Sequence, residues 1–235
     1  MDSTWVEHMF RDPQVVRDLM DKGFAVRDLL TAADIDRLTA SYHELRALDP
    51  HELGEQFWPS GRHESPELRD FARRSIEAVV PARLEGHLHM EHVRFIGGTY
   101  LVKPPGDESA LNPHQDSSHV DERHGFSVYA WIPLSDVDVE NGCVHYLPGS
   151  HTWGIDQRSL NVPWPLGPVE MDLWPEMVPI PLRAGQVLFF HSALIHASTP
   201  NRTDEVRVAL NYYLHPAGHP CCHFYPDETL APGTV

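Results

Sequence analysis

The sequence predicts a mainly β fold, a sandwich or barrel of short strands with helices gathered at its N-terminal end. Up to about residue 90 apolar residues recur at spacings of three and four. Beyond it the pattern changes to short β-like runs broken by Gly, Pro, Asn and Asp. No helical run separates those strands, which argues against an alternating α/β plan. With 235 residues, 41% hydrophobic and 22% charged, the chain can bury one sizeable core. The expected division is a single domain: a helical buttress over 1–90, a β core over 91–215 and a C-terminal tail over 216–235.

The first ninety residues read as helical. Asp12-Pro13 opens a helix through Met20 that ends at Gly23, with proline at the favoured first turn. Thr31 caps a run from Ala32 to Leu48, in which Ile35, Leu38, Tyr42, Leu45 and Leu48 share one face. Ser65-Pro66 starts a third helix, with Pro81 in or near its final turns. Strands follow near Val93–Val102, Ser127–Pro133, Cys143–Leu147, Gln186–Phe190 and Val206–Leu214. Glu140-Asn141-Gly142 reads as a tight turn between two of them, because Asn-Gly tolerates positive φ. The Pro- and Trp-rich stretch from Ser150 to Glu176 reads as a long ordered loop, a feature often tied to function. No internal repeat or low-complexity tract is present.

Charge and cysteine content narrow the function classes. Eighteen basic and 34 acidic residues leave a formal charge of −16. So acidic a surface repels phosphate backbones and anionic lipids, so neither nucleic acid nor membrane is an expected partner. The start, MDSTWVEHMF, lacks the basic and apolar regions of a secretory signal. No run approaches the roughly 18 apolar residues of a membrane span. Cys143, Cys221 and Cys222 make no disulfide framework, and a reducing cytoplasm is the expected setting. Seventeen histidines favour metal chemistry and also accidental motifs.

His114-Gln115-Asp116 places an imidazole and a carboxylate two residues apart, on the same face if the segment is a strand. With a distant second histidine they would form a 2-His-1-carboxylate triad, which leaves positions on Fe(II) open for a 2-oxo acid and dioxygen. Such a motif arises about once by chance in so histidine-rich a chain. Indeed His119-Val120-Asp121 matches it too. Downstream, a turn glycine, Gly185, feeds a buried strand, and His191, His196, Ser198 and Arg207 follow. A histidine, a hydroxyl and a guanidinium fork in one turn-linked unit suit a metal-chelated dicarboxylate. The alternative for Arg207 is a surface pair with Asp204 or Glu205.

These pieces resemble the phytanoyl-CoA dioxygenase family of Fe(II)/2-oxoglutarate oxygenases. The likeness rests on Leu101-Val102-Lys103-Pro104-Pro105, Pro113-His114-Gln115-Asp116 and Ala130-Trp131-Ile132-Pro133-Leu134. It continues through Glu140-Asn141-Gly142-Cys143 and Leu147-Pro148-Gly149-Ser150-His151 to His196-x-Ser198, with Arg207 eleven residues after His196. It covers roughly Thr99 to Leu214. The resemblance implies a double-stranded β-helix, a cupin-like jelly-roll barrel with helices against one sheet. It implies iron held by His114, Asp116 and His196, with His196 rather than His191 as third ligand. It further implies that Arg207 and Ser198 bind the distal carboxylate of 2-oxoglutarate, and that Trp131 and Thr99 line that pocket. His119, Asp121 and Glu122 then fall near the mouth, as candidates with Trp153 for substrate contact or a lid.

Departures refine the expectation. The chain ends soon after the Arg207 strand, so a C-terminal substrate lid is expected to be missing. No clear counterpart exists for the lysine some relatives place near the co-substrate, and the ectoine hydroxylase signature is not seen. Asp116 stands where related halogenases carry a small residue, which favours hydroxylation. Elsewhere, Cys221-Cys222-His223 reads as structural or surface rather than a second metal site, because adjacent cysteines chelate one ion poorly. His145 and His151 read as structural; Trp153, Trp164 and Trp174 as either a pocket wall or the loop's own packing. His124 joins the mouth loop. The expected reaction is O2-dependent oxidation of a small molecule, such as an amino acid or natural-product intermediate, releasing succinate and CO2. The competing readings are a Zn or Ni cupin-like hydrolase or isomerase, and an oxygenase whose outcome is epimerisation, desaturation or cyclisation.

Overall fold

The computed structural model describes residues 4–49, 51–122, 125–153, 158, 164 and 166–222. The N-terminal part carries α1 (Thr4–Met9), α2 (Pro13–Lys22), β1 (Phe24–Asp28), α3 (Ala32–Leu48), β2 (Trp58–Pro59), α4 (Pro66–Glu77) and α5 (Val80–Leu84). Asp12 caps α2 by accepting from the Gln14 N–H, and Gly23 ends it. Thr31 and Asp34 form a capping box at the start of α3. Ser65 accepts from the Leu68 N–H to cap α4.

Three features of this region depart from the sequence reading. It is not wholly helical, since β1 pairs antiparallel with a distant strand. α4 stops at Glu77, and Pro81 lies in the first turn of the separate helix α5 rather than in a final turn. α1 had no counterpart in the sequence reading.

The β core contains β3 (Val93–Lys103), β4 (Leu111–His114), β5 (Val128–Pro133), β6 (Val144–Tyr146), β7 (Val178–Ile180), β8 (Gln186–His191), β9 (His196–Ser198) and β10 (Arg207–Pro216). A six-stranded sheet has the order β1-β8-β5-β10-β3-β2, and a four-stranded sheet the order β4-β9-β6-β7. Every pairing within these sheets is antiparallel. The jelly-roll expectation thus holds as two sheets, without closure into one hydrogen-bonded barrel among the described residues.

Side-chain alternation assigns the two faces of the larger sheet. Val128, Ala130 and Ile132 of β5, with Val208, Leu210 and Tyr212 of β10, join the helices in one core. Tyr129 and Trp131 of β5, with Ala209 and Tyr213 of β10, join Val144 and Ile180 of the smaller sheet in another. Both faces of β5 are therefore covered, which is why all six of its residues are buried. Arg207, Ala209, Asn211 and Tyr213 point the same way along β10, into the space between the sheets.

The Glu140-Asn141-Gly142 turn does not join two paired strands. It carries the chain from β5 in the larger sheet to β6 in the smaller one. Asp138 Oδ1 accepts from the Glu140 and Asn141 N–H groups, and the Cys143 N–H closes on the Asp138 carbonyl at 2.7 Å. Only Gly142 takes the left-handed conformation, with φ +81°. A Cβ there would lie 2.6 Å from the Thr199 oxygen and 2.7 Å from Lys103 Cδ. The stretch from Ser150 to Glu176 is not plain loop: 3₁₀ segments cover Ser150–Thr152 and Gly167–Glu176.

Candidate metal centre

His114 closes β4 and faces His196, the first residue of β9, in register. Their rings lie 4.3 Å apart. Asp116 follows two residues beyond the end of β4, so it does not share a strand face with His114 as the sequence argument expected. The ligand atoms of His114, Asp116 and His196 all lie within 4.8 Å of one another and could hold one metal ion. His196 Nε2 is 3.7 Å from Asp116 Oδ2.

The main chain sets the tautomer of both rings. His114 Nδ1 contacts the Asn112 carbonyl at 2.7 Å, and His196 Nδ1 the Leu194 carbonyl at 3.0 Å. A carbonyl can only accept, so each Nδ1 carries the hydrogen and each Nε2 keeps a lone pair for a metal. Burial, then the neighbouring His114, pushes the His196 imidazole down to about 4, and it stays neutral near pH 7.

The triad opens on a cleft of about 580 Å³, a size that suits a small ligand. Thr99, Trp131, Ser198, Arg207 and Asn211 line it. Arg207 begins β10 and is 3% exposed, yet only Nη2 finds an acceptor, the Gly142 carbonyl at 3.3 Å. Its Nε and Nη1, and the Ser198 hydroxyl, have no partner among the described residues. The guanidinium lies 5.4 Å from the Trp131 ring centroid. Burial lowers its pKa to about 10, which still leaves it charged near neutrality. Buried charged donors left unpaired are costly, so this arrangement calls for an acceptor with carboxylate geometry. The surface pairing with Asp204 or Glu205 does not occur among the described residues.

Thr99 reaches the cleft at a β-bulge. Register with β10 jumps from Asn211↔Thr99 to Tyr212↔Gly97, and Gly98 takes φ +113° with the Tyr212 ring against it. The Thr99 hydroxyl already accepts from the Gly61 N–H and contacts the Ser60 hydroxyl. Asn211, unflagged by the sequence, also lines the cleft, and its buried Oδ1 has no partner among the described residues. Its only signal was the spacing of two and four along the Arg207 strand. Lys103, fully buried, donates to the Ser109 and Thr199 carbonyls and ties the β4 and β9 flanks to β3. Burial first, and Arg207 second, push its ammonium down to about 6.

The four mouth candidates behave differently. Among the described residues, His119, Asp121, Glu122 and Trp153 do not line the cleft. His119 packs edge-on against Tyr213, and its carbonyl accepts from Cys222. Glu122 is buried in an ion pair with Arg158, 2.6 Å away. Trp153 is 58% exposed. Trp164 and Trp174 do not line the cleft but pack the stretch onto Leu147 and Ile195, and the Trp164 indole N–H donates to Gln115 Oε1 at 2.9 Å. Glu170 of the same stretch does reach the cleft, bound to Asn112. His151 binds the Met20 carbonyl and His145 the Cys143 carbonyl, both as structural residues. His124, His223 and the tail beyond residue 222 lie outside the described residues.

Comparison with known proteins identifies the family and the fold. The chain is 33% identical over 123 residues to phytanoyl-CoA dioxygenase domain-containing protein 1 of Rattus norvegicus, covering 49% of the chain and 42% of that protein. It thus spans less than half the length of that curated relative. Among solved structures it resembles the non-haem α-ketoglutarate-dependent carbocyclase SnoK from nogalamycin biosynthesis. There the TM-score is 0.63 at 26% identity, over 94% of this chain and 92% of that one. HygX from Streptomyces hygroscopicus, solved with nickel and 2-oxoglutarate bound, shares the fold with TM-score 0.61 at 20% identity, over 88% of each chain. No helix among the described residues is long and apolar enough to cross a membrane. The phytanoyl-CoA dioxygenase (PhyH) family model matches residues 20–209, from within α2 to the start of β10, and the chain belongs to that family.

Proposed function

We propose that the protein is an Fe(II)- and 2-oxoglutarate-dependent oxygenase that oxidises a C–H bond of a small molecule. The observation that carries this reading is the coupling of two unfinished sites in one cleft: a His-Asp-His cluster and a buried, under-satisfied Arg207–Ser198 pair. His114, Asp116 and His196 would hold the iron. Arg207 and Ser198 would bind the distal carboxylate of 2-oxoglutarate, with Trp131 and Thr99 along its flank. Bound iron supplies O2 activation coupled to oxidative decarboxylation of the 2-oxo acid to succinate and CO2.

The protein's own groups do the rest. Nδ1 donation to main-chain carbonyls holds both imidazoles ligand-ready. The Arg207 charge orients a dicarboxylate, and Trp131 over it excludes water and strengthens that attraction. Asp116 would give iron a carboxylate ligand where related halogenases carry a small residue, which favours hydroxylation over halogenation. Likeness to a carbocyclase over almost its whole length supports ring closure as the second reading. The chain is taken as one domain over 1–235, acting on a small-molecule substrate in the cytoplasm.

The test is O2-dependent conversion of 2-oxoglutarate to succinate by purified protein with Fe(II) and ascorbate, screened across a panel of amino acids and natural-product intermediates. Turnover with at least one substrate, lost in His196→Ala, is expected. No consumption on any substrate, together with an Arg207→Ala variant that binds 2-oxoglutarate like wild type, overturns the proposal.

A further inference from the structure

Behind Asp116 lies a buried network that the iron and co-substrate reading does not use. Arg158, from the connection between β6 and β7, is 4% exposed although the sequence around it is polar and proline-rich. Its Nη2 pairs with Glu122 Oε1 at 2.6 Å, and Ser192 donates to the same oxygen at 2.7 Å. Its Nε donates to the main-chain carbonyl of Asp116 at 3.0 Å, and its own carbonyl accepts from the Ser118 N–H at 2.9 Å. One residue therefore grips the Asp116–Ser118 segment from both its side chain and its main chain.

That grip falls where the fold leaves the ligand least supported. His114 and His196 are held in register by the β4–β9 pair, but Asp116 lies past the end of β4, outside any ladder. Gln115 Nε2 reaches the Ala193 carbonyl and the Tyr129 hydroxyl donates to the Ser117 carbonyl, so the residues on either side are also fastened. Only Arg158 is bonded to Asp116 itself in this set. A buried guanidinium beside a buried carboxylate is costly unless each donor and acceptor is used, and here the pair is completed by the Asp116 carbonyl and the Ser192 hydroxyl.

We infer that Arg158, held by Glu122, is a positioning residue for the metal carboxylate. The inference rests on the metal reading of His114, Asp116 and His196, and it assigns Glu122 to that support rather than to a lid. Lysine at 158 keeps the charge for Glu122 but has no fork with which to hold the Asp116 carbonyl as well. Positioning and plain packing therefore separate in that variant.

The experiment measures Co(II) binding by its visible absorption, and the thermal midpoint of metal-free protein, for wild type, Arg158→Lys and Arg158→Gln. The expected result is a metal-free midpoint near wild type for R158K, with Co(II) affinity weakened on the order of tenfold or more, the scale of outer-shell losses. R158Q is expected to lose affinity at least as far, and R158K decides alone if R158Q does not fold. Co(II) affinity in R158K equal to wild type overturns the inference, as does a lowered metal-free midpoint in R158K that Co(II) raises by as much as it raises wild type. Failure of the metal reading itself shows differently, as wild type that binds no Co(II).

Discussion

Replacing Arg207 with methionine should raise the stability of the ligand-free protein while destroying its affinity for 2-oxoglutarate. The guanidinium is 3% exposed, with Nε and Nη1 unpaired and one acceptor, Gly142, at the long distance of 3.3 Å. Without a dicarboxylate it is a buried cation lacking an anion, and isosteric apolar replacement of such charges is often neutral or stabilising, by about 1–4 kcal/mol. With 2-oxoglutarate bound, the two free donors would make charge-assisted bonds of roughly 1.5–3 kcal/mol each. Their loss corresponds to at least about a hundredfold in Kd, at about 1.4 kcal/mol per tenfold. Methionine keeps the packing on Trp131 and forfeits a cation–π contribution of roughly 0.5–2 kcal/mol. The assay is calorimetric titration of 2-oxoglutarate into metal-loaded protein under anaerobic conditions, with thermal melts of the metal-free proteins. Opposite signs of the two effects are the signature. Unchanged 2-oxoglutarate affinity in Arg207→Met, or a collapse of the ligand-free fold, would contradict this role for Arg207.

Two further outcomes follow from the same structure. The metal-free protein should lose stability as pH falls from about 6.5 toward 4. His196 is depressed to about 4 and His191 well below its usual value, both by burial, so over that window the unfolded chain binds protons that the folded one refuses. Paired carboxylates such as Asp34, held near 2, contribute only below their ordinary value of 3.8, so thermal midpoints measured between pH 7 and 5 isolate the histidines; a flat profile contradicts this. Gly142→Ala should cost about 2 kcal/mol or more, read as a lower urea midpoint. The left-handed φ and the 2.6 Å approach to the Thr199 oxygen leave no room for a methyl group. A midpoint within error of wild type would contradict the turn geometry.

What the sequence revealed depended on how local the controlling interactions are. α3 was legible to the residue because Thr31 and the apolar face of Leu38, Tyr42 and Leu45 define it within one window. β1 escaped because Phe24–Asp28 has no strong alternation and pairs with Gln186–His191, far along the chain. β4, β7 and β9, three or four residues each, are too short for any period and exist through their sheet partners. In the site, Arg207 and Ser198 were legible as a spaced unit, and the structure adds what spacing could not show, namely that their donors are buried and unpaired. Arg158 left no signal, being a lone arginine whose partners, the Glu122 carboxylate and the Asp116 carbonyl, lie far earlier in the chain. Glu122 was noticed for its nearness to the metal motif, but its carboxylate turns inward to that arginine.

One cleft is proposed to bind iron and 2-oxoglutarate together. The most direct test is an anaerobic titration of 2-oxoglutarate into Fe(II)-loaded protein, followed by the visible charge-transfer absorption that a chelated 2-oxo acid gives on Fe(II). A saturable band is expected in wild type and is expected to be absent in His196→Ala and Asp116→Ala. In Arg207→Met the band should form only at far higher 2-oxoglutarate concentration. No band in wild type that demonstrably holds Fe(II), or an undiminished band in Arg207→Met, would contradict that proposal.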